Sequence, residues 1–195
     1  MKQVLSCFLV IALLLGASCA GSKNATYKSQ TAPGYVKKAY QKIIVFAKLE
    51  EDVYRKKLEE AMVKELEKKG FTAIVAYSNL DVSYAYDSVA FMKRVTELNA
   101  DGFVALRYLG QLSSVQDRYT YTGGYYNLYG GGAVPWDLDT KSVKTGYVQV
   151  DFFNLDSRST RWNTVVPAVV SDGIDIAVNK VSIEAVFRLK ADGIL

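Results

Sequence analysis

The stretch Ile43-Ile44-Val45-Phe46-Ala47, followed by a Lys/Glu-rich segment closing at Lys68-Lys69-Gly70-Phe71, decides how this chain folds. Five apolar residues, most of them β-branched or aromatic, form a strand buried on both faces. Leu49, Val53, Leu58, Ala61, Met62 and Leu66 then recur at helical spacing with charge between them, and Gly70 stops the helix. Phe71 to Tyr77 reads as a second strand. Asp87 opens a second helix on Val89, Phe91, Met92, Val95 and Leu98, and Phe103 to Leu109 forms a third strand. The resulting β-α-β-α-β order packs helices on a sheet.

Further along, Gly146 to Leu155 and Arg161 to Val170 read as two strands around the polar turn Asn154-Leu155-Asp156-Ser157-Arg158-Ser159. Ser171 or Asp172 is placed to cap a last helix, with Ile174, Ala177, Val178, Val181, Ala185 and Leu189 on one stripe and Asp192-Gly193 at its end. The expected fold is α/β: a single domain, a mixed sheet of about five strands and three helices in the order β-α-β-α-β-β-β-α. It spans 35–195, with a Tyr/Gly-rich insertion over 117–140 as a long loop or hairpin.

The N-terminus concerns location. Lys2 precedes an apolar run from Val4 to Leu15, and Gly16, Ala17 and Ser18 lead into Cys19. Charge, apolar core and small residues in that order make a secretory signal over 1–18. About a dozen apolar residues fall short of the roughly 20 a spanning helix needs. Leu14-Leu15-Gly16-Ala17-Ser18-Cys19 resembles the lipobox of bacterial lipoproteins, with Gly16 where Leu is commonest. The resemblance implies diacylation of Cys19, a palmitate-type membrane anchor. Ordinary cleavage after Ala17 or Ala20, leaving a secreted chain, is the alternative. With lipid on Cys19 and Cys7 removed with the signal, the domain has neither a disulfide nor a thiol nucleophile. From 19 to 34 the chain is small and polar, a tether.

Ile43–Ala47 with the Lys/Glu helix to Gly70-Phe71 is one part of a wider pattern. Ala100-Asp101-Gly102-Phe103-Val104, Tyr147…Asn154-Leu155-Asp156-Ser157…Arg161-Trp162 and Ala185…Leu189…Asp192-Gly193 complete it. Together they resemble a domain of bacterial envelope lipoproteins. It occurs in the curli-secretion lipoprotein family, in lipoprotein activators of peptidoglycan synthases, and in the N-terminal domain of the Tol-system β-propeller protein. The resemblance implies a non-enzymatic accessory, regulatory or assembly role in the cell envelope. Its partners would be envelope proteins and further copies of the chain, with an oligomeric pore or secretion subunit as one form. Ala20 after the cysteine fits outer-membrane sorting, facing the periplasm.

The side-chain inventory narrows the chemistry. The chain has no histidine, which removes the commonest general base, the Ser-His-Asp and Cys-His arrangements, and nearly all zinc sites. No cofactor or metal site is expected. Asp137-Leu138-Asp139 lacks the other oxygen ligands of a calcium loop and reads as a solvated turn, with a weak cation site as the alternative. Gly130-Gly131-Gly132 has no Lys-Ser/Thr after it, so it is not a phosphate loop. A net charge of +4, spread as short Lys pairs, argues for solvated faces and against nucleic acid. An envelope hydrolase remains as the rival class, and it needs two of Asp137, Asp139, Asp151 and Asp175 to converge in a cleft or a Ser-Lys pair to form. Between Asp117 and Thr140 stand five Tyr, five Gly and one Trp. Tyr119, Tyr121, Tyr125, Tyr126, Tyr129 and Trp136 offer large contact area at low side-chain entropy cost, and are the candidate partner contacts. A plain loop partly folded on the sheet, or glycan stacking, are the other readings of the segment. Trp162 is expected to pack on the sheet edge.

Overall fold

A computed structural model describes residues 27–80, 88–121, 136–156 and 159–195. In chain order the elements are β1 (Gln30–Thr31), β2 (Ile43–Lys48), α1 (Asp52–Lys68), β3 (Ala73–Val75), α2 (Ser88–Glu97), β4 (Gly102–Tyr121), β5 (Trp136–Asn154), β6 (Ser159–Val169) and α3 (Ile174–Ala191). The sheet is mixed and six-stranded, in the order β1-β6-β5-β4-β2-β3. β2 runs parallel to β3 and β4, while β4, β5, β6 and β1 pair antiparallel in succession. The α/β class and the three helices are those expected.

Helices cover both faces of the sheet. Ile43, Val45 and Ala47 join Val104, Leu106, Val150, Phe152, Trp162 and Val166 under α1 and α3. Ile44 faces the other way, with Phe46 and Phe103, against Val95 and Phe91 of α2. Strand alternation puts successive β2 residues on opposite faces, and both faces are covered, so the whole run is apolar. Leu58, Met62 and Leu66 of α1 are buried as their spacing requires, as are Ala177, Val178, Val181, Ala185 and Leu189 of α3. Trp162 is deeper than a sheet-edge position: it is fully buried, and its indole Nε1 donates to Asp192 Oδ2 at 2.6 Å.

Four details differ from expectation. The sixth strand comes from the segment read as tether: Gln30 and Thr31 pair with Asn163 and Trp162 on the free edge of β6. Arg188 Nη1 also donates to the Tyr27 carbonyl at 2.7 Å. A strand edge holds backbone groups that need partners, and a short polar segment supplies them without any apolar signal. α3 starts after Gly173 with no side-chain cap, because Asp172 instead pairs with Lys141 at 2.9 Å. Val53 and Val89, read as core positions, are exposed in the first turns of α1 and α2. Finally, β4 and β5 extend deep into the Tyr/Gly-rich region, which reads as aperiodic in sequence.

Candidate functional site

The extension of β4 and β5 creates the most distinctive surface. β2 leaves β4 at the Lys48–Arg107 pair, and β6 joins β5 only at Thr145. Beyond those points Ser113–Tyr121 and Trp136–Lys144 form strand ladders only with each other, from Ser113↔Lys144 out to Tyr121↔Trp136. At about 3.3 Å per residue this two-stranded arm projects roughly 26 Å from the sheet.

Two glycines shape its root. The ladder slips between Tyr108 and Gly110, leaving Leu109 as a bulge, and Gly110 has φ +126°, a conformation that L side chains rarely adopt. At Gly146 a Cβ would stand 3.2 Å from Val170 and 3.3 Å from the Tyr108 ring, so glycine lets that ring lie across β5. Val170 N–H donates to the Lys144 carbonyl at 2.8 Å, and the Lys141–Asp172 pair ties the arm to the start of α3. On this part of the arm Leu112 is 65% exposed and Val115 71%, while Val143 between them is buried.

Residues directly opposite in an antiparallel ladder share a face. Gln111/Gly146, Val115/Ser142, Tyr119/Leu138 and Tyr121/Trp136 therefore occupy one face, while Gln116/Lys141, Arg118/Asp139 and Thr120/Asp137 occupy the other. Three of the expected contact residues, Tyr119, Tyr121 and Trp136, thus share the far end of one face. Tyr125, Tyr126, Tyr129 and the lipid-attachment Cys19 lie outside the described residues.

The same face leads back to a cleft of ≈ 830 Å³ at the root of the arm. Its floor is Val148 and Ala168. Leu49, Tyr54 and Leu58 form one wall, Ile174, Ala177, Val178 and Val181 another, and Tyr108, Gly110 and Gln111 close it toward the arm. The lining is largely apolar, and no sequence motif marks it, since its residues come from five separated segments. A third apolar surface runs along α3, where Ile176, Ile183 and Phe187 are exposed opposite the buried stripe. Their i, i+7, i+11 spacing was visible in the sequence, but the stronger stripe on the buried side masks it.

The carboxylates are dispersed. Asp137 and Asp139 sit on the arm, and Asp151 lies twelve residues further along β5, roughly 40 Å away, accepting from Gln149 Nε2 at 2.9 Å. Asp175 is in the first turn of α3, paired with Lys57 at 2.6 Å. Among the described residues no group of three His, Cys, Asp or Glu side chains could hold a metal ion. Glu59, the one fully buried carboxylate among the described residues, has a structural task. Its Oε1 accepts from Ala47 N–H at 3.0 Å and its Oε2 from Tyr77 N–H at 2.9 Å, joining the ends of β2 and β3. Burial pushes its pKa above the ordinary carboxylate value, against the lowering effect of those backbone donors.

No family model and no curated protein matches the chain. Solved structures do. The PelC dodecamer from Paraburkholderia phytofirmans aligns with a TM-score of 0.51 at 9% identity, over 84% of this chain and 96% of that one. The fold is similar to that of PelC. Lipoprotein GNA1162 from Neisseria meningitidis aligns at TM-score 0.44 and 11% identity, over 78% of this chain and 99% of that one. At these identities the likeness concerns the fold alone.

Proposed function

We propose that this chain is a lipid-anchored, non-enzymatic subunit of the bacterial cell envelope that works through protein–protein contacts made by its β4–β5 arm. The arm carries the argument. An isolated two-stranded hairpin is marginally stable in water, and this one exposes apolar side chains and two unpaired backbone edges. Such a structure is best explained by a partner that covers it. The lipobox-like Leu14–Cys19 supports anchoring, Ala20 supports the outer membrane facing the periplasm, and the dispersed carboxylates favour binding over hydrolysis. The resemblance to the curli-secretion, peptidoglycan-synthase activator and Tol domains points to the same class of work.

Two experiments test this. Crosslinking and pull-down from native membranes compares the intact chain with one lacking Tyr119 to Trp136. Loss of specific partners is expected, and identical partner lists discard the arm as the contact surface. For the anchor, Cys19→Ser is expected to leave the membrane fraction, and retention there discards lipidation at Cys19. Contacts between copies are part of the proposal, because PelC, a protein of similar fold, is described as a dodecamer. The mass of the detergent-solubilised protein reads this out, and the mass of a single copy overturns it.

A further inference from the structure

α3 is apolar on two sides. The stripe from Ala177 to Leu189 is buried on the sheet, while Ile176, Ile183 and Phe187 on the other side are 60%, 54% and 63% exposed. At 3.6 residues per turn these three fall close together on the helix surface, with Lys180 along one flank and Lys190 along the other, all within an arc of about 80°. The carboxylates of α3 lie outside that arc and are already paired, Asp175 with Lys57 at 2.6 Å and Glu184 with Arg188 at 2.8 Å. The outward charge of the helix is therefore that of its lysines. We propose that this outward face of α3 lies on the surface of the phospholipid bilayer that anchors the chain; this rests on the reading that Cys19 carries lipid.

The pattern on the helix fits lipid. An apolar stripe with lysines on both flanks and no carboxylate within it is the composition of a helix lying in a headgroup layer. The apolar side chains enter the acyl boundary, and the lysine stems run along apolar surface until the ammonium groups meet phosphate. Size argues the same way. Three side chains spread over about 16 Å of helix offer far less than the roughly 1,000 Å² that a specific protein interface buries. A bilayer needs no such area when a covalent lipid already supplies the attachment, because the helix then only fixes which side of the domain faces the membrane.

The route of the chain supports the same side. Arg188, the neighbour of Phe187, donates from Nη1 to the Tyr27 carbonyl at 2.7 Å, so the N-terminal segment is fastened beside α3. Cys19 precedes Tyr27 by eight residues, which span at most about 28 Å whatever path they take. A lipid on Cys19 thus keeps the Phe187 end of α3 within reach of the bilayer.

The mature protein carrying Ile183→Cys, labelled with an environment-sensitive maleimide dye, is reconstituted into vesicles of mixed zwitterionic and anionic phospholipid that contain a nitroxide-labelled lipid. The dye is expected to be strongly quenched. The same dye on Lys93→Cys, exposed on α2 at the opposite face of the sheet, is expected to stay as bright as in water. Adding Ile176→Ser and Phe187→Ser to the Ile183→Cys protein should reduce the quenching several-fold with an unchanged circular dichroism spectrum, and so should high salt. The parent protein without an engineered cysteine reports on the anchor, since lipid on Cys19 leaves no thiol for the dye. If the protein stays on the vesicles while the Ile183→Cys dye remains unquenched and water-like, the α3 contact is overturned and the anchor stands. A dye that is dry yet unquenched by the nitroxide marks a contact with a second copy and also overturns it. If the parent takes up dye and washes off the vesicles, the anchor and the contact fall together.

Discussion

Replacing Glu59 probes how the parallel edge of the sheet is held. The side chain is fully buried, and its two oxygens take the N–H groups of Ala47 and Tyr77. In Glu59→Ala the Ala47 N–H loses its partner in a dry site, at about 1–3 kcal/mol, and the half-exposed Tyr77 N–H loses somewhat less. With the cavity left between α1 and the strand ends, a total near 3 kcal/mol follows. For a domain of this size that lowers Tm by about 6–12 °C. Glu59→Gln keeps the volume and one acceptor but turns an amide NH2 toward the other donor, so about 1–2 kcal/mol is expected. The pH dependence has a definite sign. The folded pKa lies above the ordinary 4.5, so the folded chain holds a proton that the unfolded chain releases first. The Glu59 contribution to stability is therefore fully present below about pH 4.5 and declines as pH rises through the raised folded value. Urea denaturation from pH 4 to 8 should show the gap between wild type and Glu59→Gln narrowing as pH rises. An alanine variant within 0.5 kcal/mol of wild type, roughly the scale of a neutral surface change, would refute the clamp. A gap that widens with pH would refute its titration.

Arg188→Ala removes the guanidinium that serves the Tyr27 carbonyl and the buried Thr164 hydroxyl, both at 2.7 Å. About 2–3 kcal/mol should be lost. Amide exchange at Thr31 and Ala32 should accelerate, and unchanged exchange there would show that β1 is held by its own pairing alone. Gly110→Val forces a branched side chain into φ +126° at the arm's bulge, at about 1–3 kcal/mol. A thermal melt identical to wild type would show that the bulge relaxes without strain.

The sequence by itself determined the central architecture. Strong apolar periodicity reports burial directly: Ile43–Ala47 could only be a strand covered on both faces, and the α3 stripe from Ile174 to Leu189 could only face a sheet. Features held by backbone pairing escaped it. Gln30–Thr31 joins β6 through main-chain hydrogen bonds, which leave no mark on side-chain composition. The outer reaches of β4 and β5 have no core to face, so nothing selects an alternating pattern in them, and the Tyr/Gly-rich region reads as a loop. Glu59 stands three residues before Met62 and seven before Leu66, at buried spacing, yet a Glu among lysines on an amphipathic helix reads as solvated. Only the meeting of α1 with the ends of β2 and β3 supplies the two donors that hold it inside. The cleft belongs to tertiary structure altogether, because its walls come from residues far apart in the chain. The arm and the cleft face the same way because of strand register, and a slip of one residue at the Leu109 bulge would have turned the arm's aromatic positions to the opposite side.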